Sequence, residues 1–256
     1  MKKTLNVSIS TFLYHEVTDC PSESGFQQKT AIPYKHTLKE FKRDLNIINE
    51  SHIGVSSINN IKLNAENDHL LLTFDDGGKS SMVIANMIEE YGWRGHFFIT
   101  TSMIGCKGFL SISDIRLLSQ RGHFIGSHSH THPRVFYNLS YKEQLEEWRT
   151  SNDILESILN KKIYIASVPG GHMNNDTILS ANHAGINYLF TSDPFLKPYA
   201  KNNVVCFGRY CPKKNTSATK IKNISIHKGY VKEMTLRKTK NFLKYIYYPL
   251  RNLLGK

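Results

Sequence analysis

The 256 residues include 40% apolar and 11% aromatic side chains, enough for one large α/β domain with a core and too many for a mainly disordered chain. The net charge of +12 is uneven: twelve Lys/Arg and a single acid, Glu233, lie from Lys213 onward, so that segment carries +11 and the rest +1. A near-neutral body with a basic end, and no recognition motif beside the charge, does not suit a nucleic-acid-binding domain.

Met1-Lys2-Lys3 opens like a signal peptide, but the following LNVSISTFLYHEV is broken by Asn6, Ser8, Ser10 and Thr11 and has no small-residue cleavage site. It reads instead as a strand over 7–14. No apolar run approaches the ~20 residues of a membrane span, so a cytoplasmic protein is expected. Further strand-like runs fall at 69–74, 95–100, 123–127, 163–168, 188–191 and 204–207. Between them Thr37 with Glu40, Ser111 with Asp114, and Ser140 with Glu143 have capping-box spacing ahead of apolar-periodic runs. Gly122 and Gly185 stand where helix C-caps would fall. Four scattered cysteines (Cys20, Cys106, Cys206, Cys211) give no disulfide framework and read as reduced thiols.

This alternation predicts βαβ units around a parallel sheet or barrel. About seven strands suit a (β/α) barrel, incomplete at that count, better than a dinucleotide-binding sheet, and there is neither a G-x-G-x-x-G nor a P-loop. In such folds reactive groups collect at the carboxyl ends of strands. The residues that fall there are His15-Glu16, Asp75-Asp76, Thr100-Thr101, His128 to His132, Pro169 to His172, Ser192-Asp193 and Arg209.

Two constellations carry chemistry. In Leu71-Leu72-Thr73-Phe74-Asp75-Asp76-Gly77-Gly78, adjacent carboxylates at the end of an apolar strand repel each other and lose hydration. A divalent cation relieves this by binding one and leaving the other as a base; the plainer reading is an Asp-Gly turn. In Gly126-Ser127-His128-Ser129-His130-Thr131-His132-Pro133, His128 and His132 are spaced to reach one ion, whereas a surface histidine tract is the plainer alternative. Two histidines and one carboxylate form a recurring catalytic set with positions left open.

TFDDG followed some fifty residues later by H-S-x-x-H-P resembles the polysaccharide deacetylase family (the NodB-homology group, carbohydrate esterase family 4). The resemblance runs from about Leu5 to Arg209 and takes in Tyr14-His15-Glu16-Val17, Gly95-His96-Phe97-Phe98-Ile99 and Val168-Pro169-Gly170-Gly171. It implies a distorted, incomplete (β/α) barrel, with Asp75 as catalytic base and Asp76, His128 and His132 as ligands of a divalent ion such as zinc. The expected reaction is hydrolysis of an N-acetyl group on an amino sugar of a surface or lipid-linked glycan. Two features depart from the family pattern. The arginine usual before Pro-Gly is absent from Ala166-Ser167-Val168-Pro169, with Arg209 a candidate replacement. The late motif that supplies the acid is also unclear, so His15 is favoured over His227 and His172. Pro169, Gly170, Gly171, His172 and Arg209 are expected near the substrate. A catalytically silent carbohydrate-binding relative is the alternative, and a charge-driven binder of membrane or nucleic acid a third.

The catalytic barrel is placed at 1–212 and a basic amphipathic helical tail at 213–256. From 231 the tail mixes Lys/Arg with Leu, Phe, Ile and Tyr at helical spacing. That suits either an anionic membrane surface, making the protein peripheral on the inner face, or a helix packed on the barrel with a solvated cationic face.

Overall fold

The computed structural model describes residues 2–239. In chain order its strands are β1 (Lys3–Thr4), β2 (Ser8–Tyr14), β3 (Glu16–Val17), β4 (Lys35–His36), β5 (Asp68–Phe74), β6 (His96–Ile99), β7 (Phe124–Ser127), β8 (Ile165–Ser167), β9 (Tyr188–Phe190), β10 (Tyr199–Lys201) and β11 (Val204–Phe207). The helices are α1 (Leu38–Asn49), α2 (Ser81–Glu89), α3 (Ile112–Gln120), α4 (Tyr141–Leu159), α5 (Asn175–His183) and α6 (Ala218–Ser225). Residues 230–239 are also helical.

All seven strand-like runs of the sequence are strands. They lie side by side, parallel, in the order β11-β9-β8-β7-β6-β5-β2. Beyond β11 the sheet curls back to its start. Tyr210 bridges Phe12 of β2 in parallel, donating its N–H to Thr11 O at 2.8 Å and accepting from Leu13 N at 2.9 Å. The barrel therefore closes only through the single-residue bridge between Phe12 and Tyr210, consistent with the distorted barrel that the resemblance implies. Helices α1 to α5 fill the crossovers from β2 to β9, but β9 reaches β11 through a hairpin. Asn202 and Asn203, both at positive φ (50° and 59°), make its two-residue turn, and β1 adds antiparallel to its outer strand β10.

The helix starts follow local chemistry. Thr37, Ser111 and Ser140 each accept from the N3 backbone while Glu40, Asp114 and Glu143 reach back, so all three predicted capping boxes form. Each contributes about 1 kcal/mol to its helix. Gly122 and Gly185 follow the C-caps of α3 and α5 in the left-handed region (φ 87° and 82°). Asn174 supplies a fourth N-cap, with Thr177 at N3.

The period of two along each strand sorts side chains between helices and barrel interior. Leu70, Leu72 and Phe74 pack outward among residues of α1 and α2. Leu71 turns inward with Ile9, Phe98, Ile165, Phe190 and Phe207, a single apolar cluster that forms the barrel floor. One step further along the same strands the inward positions become polar: Thr73 and Asp75 after Leu71, Ser167 after Ile165, Arg209 after Phe207. Gly126 must lack a side chain here, since a Cβ would come within 2.7 Å of Ile165 and Phe98. The floor is apolar and the layer above it carries the Asp75–Arg209 pair, both on the inward positions that alternation selects.

Past the barrel, α6 packs on α1, and Ser10 Oγ of β2 donates to Ile224 O at 2.7 Å. Tyr230 is buried. Residues 218–230 thus lie against β2, beside the one-residue seam. The remainder of the predicted amphipathic tail, 240–256, lies outside the described residues. No helix among the described residues is long and apolar enough to cross a membrane, and all four cysteines are free.

Candidate metal centre and its acid–base partners

Asp75 and Asp76 leave the end of β5 in a sharp turn. Asp75 N–H still bonds Tyr14 O at 3.0 Å, continuing the β2–β5 ladder. Asp76 then adopts φ 76° and Gly77 φ 75°. A left-handed aspartate is uncommon, and here it aims the second carboxylate into the barrel mouth. The histidine segment is shaped in the same way: Ser129 (φ 61°) and His132 (φ 55°) are also left-handed. His132 N–H donates to Ser129 Oγ at 3.1 Å, and Glu147 of α4 accepts the N–H groups of His130 and Thr131 (2.9 and 2.8 Å). Three hydrogen bonds thereby hold a loop that contains two left-handed residues.

The result brings Asp76, His128 and His132 together, their ligand atoms all within 4.8 Å of one another. Asp76 Oδ1 lies 3.4 Å from His128 Nε2 and 3.6 Å from His132 Nε2. Ligands about 2.0–2.1 Å from a tetrahedral zinc stand about 3.3–3.5 Å apart, so these two separations suit one ion. The tautomer fits as well. His128 Nδ1 faces the Ser167 carbonyl at 2.9 Å, which requires the proton on Nδ1 and leaves the Nε2 lone pair toward the cluster. Burial alone would raise the Asp76 carboxyl. Its hydrogen bond with His128 and the nearby His15 and His132 more than offset that and hold it well below the usual range. Burial likewise pulls His128 down, but Asp75 and Asp76 draw it up. The set is chemically and geometrically suited to a divalent cation.

Asp75 is held differently. It is 3% exposed and sits on Arg209, which is fully buried. Arg209 Nη1 donates to Oδ1 at 2.8 Å and Nη2 to Oδ2 at 2.9 Å, a fork-to-fork pair. Ser167 Oγ donates to Oδ2 at 2.9 Å and accepts from Arg209 Nη2 at 2.7 Å. Arg209 Nε is fixed on Thr191 O at 2.9 Å. Burial would raise the Asp75 carboxyl, but the guanidinium and His128 outweigh it and keep the group ionised. Arg209, expected either as a substrate contact or as the partner of Asp75, has its guanidinium committed to Asp75 and the walls around it. Ser167 stands where the family's arginine is expected, and here the arginine comes from beyond β11 instead.

His15 follows β2 at the same mouth, its Nδ1 buried with no hydrogen-bond partner among the described residues. Burial holds its pKa below the usual histidine value, and Asp76 and Asp75 offset that only in part. Segment 18–34, looped out between the paired strands β3 and β4, walls this side: Tyr34 lies against His15 (5.0 Å between ring centroids) and Phe26 against His132 (5.1 Å). His227 is at the other end, near Asp68 and His69 where β5 begins, about 20 Å of strand from Asp75. Pro169, Gly170 and Gly171 form a tight turn after β8, with both glycines at positive φ. His172 follows, 3.5 Å from Arg237. His96 and His123 are packed and hydrogen-bonded away from the site, and His130 bonds Thr101.

Glu16, one of the strand-end residues, takes a role that its position in the sequence does not suggest. Buried beside Gly25 and Gly78, it accepts from the Ser24 hydroxyl and from Ser80 Oγ (2.6 Å), so it ties the 18–34 segment to the start of α2. Burial pushes its carboxyl up to about 7, from 4.5 in the unfolded chain. The folded state therefore keeps a proton that the unfolded state releases between those values. Stability is full below about pH 4.5 and falls as pH rises toward 7, by on the order of 3 kcal/mol. Glu16→Gln, which cannot ionise, is expected to remove that fall. Urea unfolding of both proteins at pH 5 and pH 8 checks it: the variant's advantage should appear at pH 8 only, and an equal difference at both values would refute the assignment.

The fold and site together define an α/β barrel with an Asp-His-His cluster at its mouth. The chain belongs to the polysaccharide deacetylase family, whose model matches residues 62–189. Among curated proteins, YxkH of Bacillus subtilis, named as a polysaccharide deacetylase, is 27% identical over 126 residues, 49% of this chain and 45% of that protein. The peptidoglycan-N-acetylmuramic acid deacetylase PdaC of the same organism is 29% identical over 109 residues, 42% of this chain and 22% of its own. The chain thus spans less than half the length of these relatives. Solved structures share the fold. A polysaccharide deacetylase from Bacillus cereus has a TM-score of 0.71 at 17% identity, covering 85% of this chain and 69% of that one. The deacetylase PplD of Streptococcus pyogenes, in complex with acetate, has 0.68 at 19% identity, covering 84% and 96%.

Proposed function

We propose that the chain is a divalent-metal-dependent N-deacetylase acting on an N-acetylated amino sugar of a cell-surface or lipid-linked glycan. The observation that carries this is the pairing of two differently held carboxylates: Asp76 grouped with His128 and His132, and Asp75 kept ionised by Arg209 and Ser167 beside them. A silent carbohydrate-binding protein would have no use for that division. Asp76, His128 and His132 would hold the ion, with zinc the best match to the donor set. When bound, it supplies Lewis acidity at the reacting carbonyl and at the attacking water.

The chain's own groups do the proton chemistry. Asp75 accepts the water's proton at a carboxylate oxygen, while Arg209 and Ser167 fix the orientation of that carboxylate. His15, at the same mouth, donates to the departing amine; burial favours its neutral form, and the two aspartates oppose that only in part. The turn at Pro169, Gly170 and Gly171 shapes the wall the sugar meets. Supporting this reading are the family membership and a curated relative named for deacetylation of an N-acetylated sugar.

The test is acetate release from N-acetylglucosamine oligomers by the full chain. Release should stop on chelation and return with zinc; release that survives exhaustive chelation would rule out the metal-dependent mechanism. A cytoplasmic enzyme whose basic end meets an anionic membrane belongs to the same proposal. Removing 240–256 is expected to reduce pelleting with anionic liposomes, and unchanged pelleting would remove that part.

A further inference from the structure

The helical segment 230–239 starts at the barrel seam and ends at the mouth. There Arg237 pairs through Nε with Asp193, and its Nη2 lies 3.5 Å from His172 Nε2. Three separate stretches of chain meet at this point: the turn after β8, the loop after β9 and the C-terminal helix. The same loops support the reacting groups. Asp193 O accepts the Arg209 N–H at 3.1 Å, and Gly171 O accepts Thr191 Oγ1 at 2.5 Å. One backbone hydrogen bond therefore joins the cluster to the arginine under Asp75.

It is also open. Arg237 keeps 24% and Asp193 35% of their side-chain surface exposed. Tyr137, 40% exposed, stands edge-on to the His172 ring with centroids 6.1 Å apart. Charge narrows the ligand. The guanidinium and the carboxylate neutralise each other, so the patch is not a receptor for an anion. What it offers is planar donors and acceptors beside an exposed aromatic ring. Pyranose units match that: hydroxyls that donate and accept in turn, and an apolar C–H face.

We propose that Tyr137, His172, Asp193 and Arg237 form a subsite for a neighbouring sugar of an N-acetylated glycan, flanking the unit presented to Asp75. The C-terminal helix is then part of the substrate cleft. This rests on the deacetylase reading for its choice of glycan. The competing account is a staple that only holds the helix on the barrel, and Arg237→Lys separates the two. Lysine keeps a charge to pair with Asp193 but loses the planar fork.

Binding of the N-acetylglucosamine tetramer and monomer is measured by calorimetry on the zinc-loaded full chain carrying Asp75→Asn, so that turnover does not interfere. Expected results are tetramer binding tighter than monomer, weakened about tenfold by adding Arg237→Lys or Tyr137→Ala, with Tm unchanged by the lysine. Equal affinity for tetramer and monomer, or unaltered tetramer binding in both variants, would overturn the subsite. If wild type releases acetate while the variants bind as before, the subsite fails and the activity stands. If no acetate is released but tetramer binding falls as expected, the activity fails and the subsite stands.

Discussion

Asp75→Asn is expected to lower the rate of acetate release by about three orders of magnitude, within the range for loss of a general base. Asparagine keeps the shape of the side chain but cannot take a proton from water. Zinc binding should persist, because Asp76, His128 and His132 are untouched. The change is not neutral for the fold. Both Asp75 oxygens accept hydrogen bonds, from Arg209 and from Ser167, so an amide NH2 must face a donor in either orientation. Kinetics therefore belong well below the variant's Tm, with bound zinc measured on the same sample. A variant that binds zinc and retains more than a tenth of wild-type activity would remove Asp75 from the base role.

Arg209→Ala has the second large effect, and it reaches stability as well as rate. Removing the cation leaves the Asp75 carboxylate buried with only Ser167 as donor. Breaking a buried pair in this way costs about 3–5 kcal/mol, far more than a surface ion pair is worth. The remaining carboxyl gains a proton more readily, since its largest stabilising charge is gone and burial acts unopposed by it. The acid limb of the pH–rate profile is thus expected to move to higher pH. Arg209→Lys should restore part of the charge effect and little of the orientation. Chemical denaturation and the pH–rate profile read both consequences. A loss under 1 kcal/mol with an unmoved acid limb would mean that Arg209 does not hold Asp75.

What the sequence made legible is what short stretches of chain encode. The three capping boxes at Thr37, Ser111 and Ser140 are three-residue relationships, and each forms. The seven strands are visible as apolar runs, and the strand-end rule places Asp75, Asp76, His15, His128 and Arg209 at one mouth before any contact is known. Arg209 meets Asp75 across 134 positions of sequence; its place after the last apolar run makes it a candidate partner, though the pairing itself is not encoded locally. What escapes depends on distant pairing: nothing near Ser167 in the chain says that its hydroxyl bonds both Asp75 and Arg209, although a polar residue ending a buried strand is itself a signal. The bridge through Tyr210, the β3–β4 excursion and the Asn202-Asn203 hairpin carry weak local marks, the last being the easiest to have found. The basic segment after Lys213 read as a tail because charge dominated its composition. Ile221, Ile224 and Tyr230 are buried, so residues 218–230 pack on the fold, whereas Val231 and Leu236 beyond them are exposed.

The central claim is that Asp76, His128 and His132 bind one metal ion while Asp75 stays free beside them. Diffraction from zinc-soaked crystals, collected on either side of the zinc absorption edge, addresses it directly. The account predicts one strong anomalous peak about 2.0–2.2 Å from an Asp76 oxygen, His128 Nε2 and His132 Nε2, with Asp75 still on Arg209. A peak coordinated by Asp75 in place of Asp76, or no peak between the two histidines at saturating zinc, would contradict it.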